Sequence, residues 1–182
     1  MYLENFVNNL DKKYHKTYFS GLSFNSKQVK KNDIFFAIKG NKLDGSKYIF
    51  DAIKKGARVI ISEKDIKSNK KNIVFIKYKN PRKLLSHISY KLIKKKPKNF
   101  VAVTGTNGKS SIADFYYQIL NLNKKKAASI GTLGFQFNKK KFEAKNTTLD
   151  PIQLRKKLNY LGDKNVKNII LEASSHGLKQ NR

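Results

Sequence analysis

Cysteine is absent from this 182-residue chain, which excludes a disulfide scaffold, a thiolate metal site and any chemistry that needs a cysteine nucleophile. Acidic residues are few: 12 Asp+Glu stand against 40 Lys+Arg, for a formal charge of +28. Arginine is scarce within that excess, for only Arg58, Arg82, Arg155 and Arg182 carry a guanidinium. Base-reading surfaces favour the planar arginine fork. Here the charge is lysine scattered along the chain among abundant Asn and Ile, a pattern of compositional bias that argues against specific nucleic-acid recognition. No apolar run nears the roughly 20 residues that span a bilayer. The start, Met1-Tyr2-Leu3-Glu4-Asn5-Phe6, also lacks the basic flank and apolar stretch of a secretory signal. The expectation is a soluble cytoplasmic protein with no membrane partner, long enough for one ordinary domain or two small ones.

What is present alternates between strand-like and helix-like segments. Asp33 to Ile38, Val59 to Ile61 and Ile73 to Ile76 are short apolar runs of strand length. Between the first two, Tyr48, Ile49, Ala52 and Ile53 fall at helical spacing over Ser46 to Lys55, with Gly56 as the stop. After Pro81, residues Leu84, Leu85, Ile88, Leu92 and Ile93 predict a second helix. The run Lys94-Lys95-Lys96-Pro97-Lys98 breaks the pattern and marks a domain boundary, giving domains over 1–96 and 97–182. Beyond it come a strand at Phe100 to Val103, a helix from about Lys109 to Leu122 and a strand around Ala128 to Leu133. A loop then runs to Asp150, followed by a helix opened by Pro151 and a strand at Asn168 to Leu171. Alternation of this kind predicts an α/β fold with a parallel sheet. Three strands in the second domain leave its sheet short and one face thinly covered.

The sharpest chemical signal is Thr104-Gly105-Thr106-Asn107-Gly108-Lys109-Ser110-Ser111, between a buried-type strand and a helix. Gly105 and Gly108 can take backbone angles closed to other residues, so successive N–H groups can converge on a phosphate. Helix N-terminal amides add partial positive charge, Lys109 can reach the outer phosphates, and the Ser110 hydroxyl can ligate Mg²⁺. The spacing departs from G-x-x-x-x-G-K-[ST], whose first glycine would fall on Val103. Read from the residues alone, the alternative is a glycine-containing turn with a solvated lysine.

With its preceding Ala-Val strand, the Thr-Gly-Thr-Asn-Gly-Lys-Ser loop resembles the ATP loop of the Mur ligases, which extend the peptide of the cell-wall precursor. Asn146-Thr147-Thr148-Leu149-Asp150 and the stretch from Leu171-Glu172-Ala173-Ser174-Ser175-His176-Gly177 to Gln180-Asn181-Arg182 resemble segments of the tripeptide synthetases of that family. Upstream, Asn25-Ser26-Lys27, Asn32 to Ala37, Gly40 and Asp44-Gly45 are similar to their UDP-binding domain. Four motifs in the family order cover most of the chain. The resemblance implies a small N-terminal α/β UDP-sugar-binding domain followed by an incomplete P-loop central domain with a parallel sheet. It implies an ATP-dependent amide ligase that adds the third, diamino acid to UDP-N-acetylmuramoyl-L-alanyl-D-glutamate through an acyl phosphate, with ATP and Mg²⁺ as cofactors.

The resemblance also implies roles. Gly105, Thr106, Asn107, Gly108, Lys109, Ser110 and Ser111 bind ATP, Lys109 is the catalytic cation, and Ser110 with Glu172 holds Mg²⁺. Phe24, Ser26 and the loop Asn41-Lys42-Leu43 hold the uridine diphosphate end. Asn146, Thr147, Thr148, Ser174, Gln180 and Arg182 contact the sugar-peptide portion. Asn25 stands where the family usually carries aspartate, and Asn41-Lys42 where it carries a His-Gln-like pair. Without the resemblance, Ser26 and Asn41 read equally as turn residues, Asn146 to Thr148 as caps before Asp150-Pro151, Glu172 as half of a surface ion pair and His176 as a structural histidine. The family's carbamylated lysine and its amino-acid-binding domain are expected beyond Arg182, so this chain alone is expected to catalyse little or nothing. The rival readings are a folate polyglutamate-type ligase, which has a similar loop, and a basic nucleotide- or nucleic-acid-binding module.

Overall fold

Residues 1–8, 10–40, 43–66, 70, 72–138, 140–142 and 148–181 are described in the computed structural model. They form two units, Met1–Lys91 and Leu92–Arg182, each taken by itself below.

The first unit is built on four parallel strands in sequential order: β1 (Leu22–Ser23), β2 (Ile34–Ala37), β3 (Val59–Ser62) and β4 (Val74–Lys77). Every side chain of β2 and β3 is buried. Successive strand residues point to opposite faces, so uninterrupted burial requires cover on both sides. One face carries Phe35, Ala37 and Ile60 against Ile49 and Ala52 of helix α1 (Ile49–Lys54). Helix α2 (Pro81–Lys91) packs against β2 and buries Leu84, Leu85 and Ile88. Each such side chain contributes roughly 1.5–3 kcal/mol by leaving water.

The expected helix over Ser46 to Lys55 is shorter than its spacing implied. Its first part, Gly45–Tyr48, is a 3-10 turn that leads into α1. The Asp44 carboxylate accepts the Ser46 N–H at 2.9 Å, a bond that holds its pKa below the usual carboxylate range. Gly45 lies where an added Cβ would come within 2.7 Å of the Ile38 backbone, so the chain turns tightly before the helix starts. Strand β1 had no signal, being too short to show a period.

The second unit holds β5 (Asn99–Val103), α3 (Lys109–Leu122), β6 (Ala127–Gly131), β7 (Gly134–Phe137), β8 (Lys140–Phe142), α4 (Pro151–Asp163), β9 (Asn168–Glu172) and α5 (Ser175–Lys179). Its sheet has the order β5-β9-β6-β7-β8. The three expected strands are parallel, with β9 inserted between β5 and β6. The sheet is nevertheless mixed, because β7 and β8 add an antiparallel hairpin in the stretch expected to be loop. Asn138, at the hairpin turn, has φ +53, a conformation asparagine tolerates.

One face of this sheet is well covered. Ala128, Ile130, Phe135, Ile169 and Leu171 pack with Leu158 and Leu161 of α4, with Leu149, and with Ile93 from the start of the unit. Lys94 donates its N–H to Asn159 Oδ1 at 2.9 Å, so the start of the basic run is docked on α4. Asp150 caps α4 by accepting the N–H groups of Ile152 and Gln153, each at 3.0 Å, with Pro151 in the first turn. The other face is covered by α3, which packs against β5, β6 and β9, so that Ala127, Ser129 and Ile170 are buried as well and the thin cover expected for a three-strand sheet is not found there. What stays open is the edge of the sheet and the outer side of that helix. Edge strand β5 exposes Phe100 and Val101, and α3 leaves Ile112, Phe115, Ile119 and Leu122 in a solvent-facing stripe.

Candidate functional site

The phosphate-loop candidate leaves the end of β5 and enters α3. Gly105 has φ +145 and Gly108 φ +80. An added Cβ on Gly108 would meet no heavy atom within 4 Å, so it is backbone conformation and not crowding that favours glycine there. The first intrahelical bond of α3 runs from the Ile112 N–H to Gly108 O. The amides of Lys109, Ser110 and Ser111 therefore precede the helical ladder and face the loop end with their partial positive charge. Residues Thr104 to Gly108 are exposed and Lys109 and Ser110 half-buried. The Lys109 ammonium folds back over the loop and donates to Gly105 O at 2.6 Å and Thr106 O at 3.0 Å. These bonds lie within one turn of chain, so an incoming polyphosphate can replace them without disturbing the core.

Strand pairing brings the second half of the site to the same place. The register aligns Val103 with Glu172, so the residue that ends β9 lies beside the point where the loop departs. Ser110 Oγ donates to Glu172 Oε2 at 3.0 Å across 62 residues of sequence. Glu172 is only 1% exposed, which rules out the surface-ion-pair alternative. On the other side of β9 is β6, and the residue after β6, Thr132, donates twice to the same carboxylate. Its N–H reaches Oε1 at 3.0 Å and its hydroxyl reaches Oε2 at 2.9 Å. Gly131, the last residue of β6, supplies the room: an added Cβ would lie 2.2 Å from Glu172 Oε1. Neither Gly131 nor Thr132 was singled out from sequence. Their part depends on the pairing of β6 with β9, 40 residues on, and no local motif announces it.

The remaining sequence candidates fall in separate places. Thr148 is buried, and its hydroxyl accepts the Ser174 N–H at 3.0 Å, bonds Ser174 Oγ at 3.0 Å and reaches Glu172 O at 3.3 Å. Ser174 caps α5 by accepting the Gly177 N–H at 3.1 Å. Thr148 and Ser174 are thus tied to the backbone just after Glu172. The Gln180 amide meets His176 Nε2 at 2.7 Å, and His176 is exposed. Asn146, Thr147 and Arg182 lie outside the described residues. In the first unit, Phe24 is exposed and Ser26 buried at the start of a 3-10 turn that follows β1, capped by Asn25, whose side chain accepts the Lys27 N–H at 3.0 Å. Exposed Leu43 follows the neighbouring strand β2, whereas Asn41 and Lys42 lie outside the described residues. Phe24 and Ser26 therefore follow the carboxyl end of β1, and Leu43 follows that of the adjacent parallel strand β2, the side where open α/β sheets take ligands.

Among the described residues no group of three His, Asp or Glu side chains is placed to hold a metal. A cation at Ser110 and Glu172 would take its other ligands from a bound phosphate or water, the usual arrangement for Mg²⁺. The hard-oxygen donors and the buried carboxylate fit that ion. A cavity of about 320 Å³ in the second unit lies elsewhere, around Lys126 and Lys164 at the far ends of β6 and α4. No helix among the described residues is long and apolar enough to cross a membrane.

Comparison with known proteins covers both units. Residues 18–91 match the family model described as Mur ligase family, catalytic domain, and residues 103–182 match the Mur ligase middle domain. A UDP-N-acetylmuramoyl-L-alanyl-D-glutamate–2,6-diaminopimelate ligase of Rickettsia conorii is 43% identical over 181 residues, covering 96% of this chain and 37% of the relative. The protein of the same name from Wigglesworthia glossinidia brevipalpis is 40% identical over 171 residues, covering 90% of this chain and 34% of the relative. A solved structure of a ligase of that name aligns with TM-score 0.83 at 26% identity, over all of this chain and 37% of that one. A MurF ligase from Thermotoga maritima, in complex with ADP, shares the fold at TM-score 0.56 and 23% identity, over 87% of this chain and 32% of its own.

Proposed function

The chain belongs to the Mur ligase family, and from that premise we propose that its two units are the UDP-sugar-binding and nucleotide-binding parts of a cytoplasmic ligase of peptidoglycan precursor synthesis. The reaction is ATP-driven addition of a diamino acid to UDP-N-acetylmuramoyl-L-alanyl-D-glutamate, the activity in the names of the relatives, of which this chain spans 37% or less in length. A carboxylate resists attack by an amine because its charge is delocalised and oxide is a poor leaving group. Phosphoryl transfer from ATP makes it an acyl phosphate, and the amino group of the incoming amino acid then displaces phosphate.

Two anions must be brought together for that transfer, and the role of the loop is electrostatic. Amides at the start of α3 and the Lys109 ammonium draw the polyphosphate in and offset its repulsion with the substrate carboxylate. Ser110 and Glu172 would hold Mg²⁺, which supplies further charge neutralisation at the phosphates. Phe24, Ser26, Asn41, Lys42 and Leu43 are assigned to the uridine diphosphate end. Asn146, Thr147, Thr148, Ser174, Gln180 and Arg182 are assigned to the sugar-peptide end.

One observation carries the reading: the hydrogen bond from Ser110 to the buried Glu172, which joins the phosphate-loop helix to the end of a neighbouring strand. The test is ATP binding with Mg²⁺ and with EDTA. Glu172→Gln should remove the gain in affinity that Mg²⁺ confers and leave metal-free binding in place; an unchanged Mg²⁺ gain would refute the assignment.

A further inference from the structure

We propose that Thr132 is a positioning residue for the cation site: it holds the Glu172 carboxylate in the orientation that faces Ser110, in a slot that Gly131 keeps open. The inference rests on the reading of Ser110 and Glu172 as cation ligands, and goes beyond it by naming what aims the carboxylate.

Three donors converge on Glu172. Thr132 N–H takes Oε1 at 3.0 Å, and Oε2 is shared between the hydroxyls of Thr132 at 2.9 Å and Ser110 at 3.0 Å. Both Thr132 bonds come from one residue, one to each oxygen, so together they fix the rotation of the carboxylate plane about its last side-chain bond. Without the Thr132 hydroxyl, Oε2 would be held by Ser110 alone, the very group that the cation site draws on. Hydrogen bonds to an ionised acceptor are also stronger than neutral ones. Oxygens of a bound cation's ligands are generally aimed by such outer partners.

Gly131 makes the arrangement possible. A Cβ there would come 2.2 to 2.4 Å from Oε1, the carboxyl carbon and Cγ of Glu172, closer than any real contact. The pairing of Ile130 with Leu171 sets Gly131 beside Glu172, so the slot is built into the sheet. Thr132 itself is exposed. Changing its side chain therefore leaves the core intact, and the effect on Glu172 can be read separately from folding.

The experiment uses the 182-residue chain with Mn²⁺ and ATP as probes, following bound Mn²⁺ by electron paramagnetic resonance and the Glu172 side-chain carbon by ¹³C NMR. Thr132→Val removes the hydroxyl at nearly constant volume; Thr132→Ser restores it; Glu172→Gln is the control. Thr132→Val should weaken ATP-dependent Mn²⁺ binding about 10-fold or more, within the range for loss of an outer partner. It should also move the Glu172 carboxyl resonance, with unchanged ATP affinity in EDTA, and Thr132→Ser should recover both signals. Loss of Mn²⁺ binding in Glu172→Gln but not in Thr132→Val would overturn the positioning role and leave the cation site standing. An equal loss of ATP affinity in EDTA would overturn it in favour of a structural role. Unaltered Mn²⁺ binding in Glu172→Gln, or none in the unsubstituted chain, would remove the cation site and the proposal with it.

Discussion

Lys109 donates to two carbonyls of its own loop and to nothing distant among its described bonds, so its removal should be felt by a ligand and not by the fold. Lys109→Ala is expected to leave the thermal midpoint within a degree or two while weakening ATP binding by about tenfold or more, in line with the loss of a charge-assisted phosphate contact. Gly131→Ala should behave differently. Its methyl group has no space beside Glu172, and overpacking of this kind costs typically about 1–3 kcal/mol. A lowered midpoint together with loss of Mg²⁺-dependent ATP affinity is the expected pair of results, and calorimetry with equilibrium titration reads both. The contrast between these residues shows what the sequence displayed. Lys109 stands in a contiguous motif, whereas Gly131 and Thr132 acquire their role only when β6 is laid beside β9. Thr148 is an intermediate case: its place before Asp150-Pro151 suggested a cap, and its hydroxyl instead ties the backbone after Glu172.

At the scale of elements, Asp150 is the sharpest single test. It satisfies two otherwise unpaired amides of α4, and that helix covers the well-packed face of the second sheet. Asp150→Ala should cost about 1 kcal/mol in denaturant unfolding, the usual loss of a side-chain N-cap. The outer side of α3, which covers the opposite face, predicts association. Ile112, Phe115, Ile119 and Leu122 line the exposed side of α3 near the open, apolar edge of β5, and both features attract other chains. Phe115→Glu should reduce concentration-dependent association seen by sedimentation velocity. β2, β3 and β9 were legible because a strand buried on both faces is an unbroken apolar run. The hairpin of β7 and β8 was not: Phe135, Gln136 and Phe137 alternate over too few positions, and the strand that completes it, Lys140–Phe142, is mostly lysine. The helix expected from Ser46 starts as a 3-10 turn set by the local Asp44 cap and by the close approach of Gly45 to the Ile38 backbone, and apolar spacing displays neither.

Across the whole molecule, a charge of +28 will bind polyanions without any site, so affinity for ATP measured in dilute buffer proves little. At about 1 M salt the screening length falls to about 3 Å, which suppresses scattered lysine attraction and spares contacts made inside a loop. The two readings of this chain, a nucleotide cradle and a diffuse basic surface, therefore separate in one titration: MgATP into the 182-residue chain and its Lys109→Ala variant at about 1 M salt. Saturable one-to-one binding by the first, weakened about tenfold or more in the second, is the result this account requires. Equal binding by both, or binding that vanishes from the unsubstituted chain as salt rises, would contradict it.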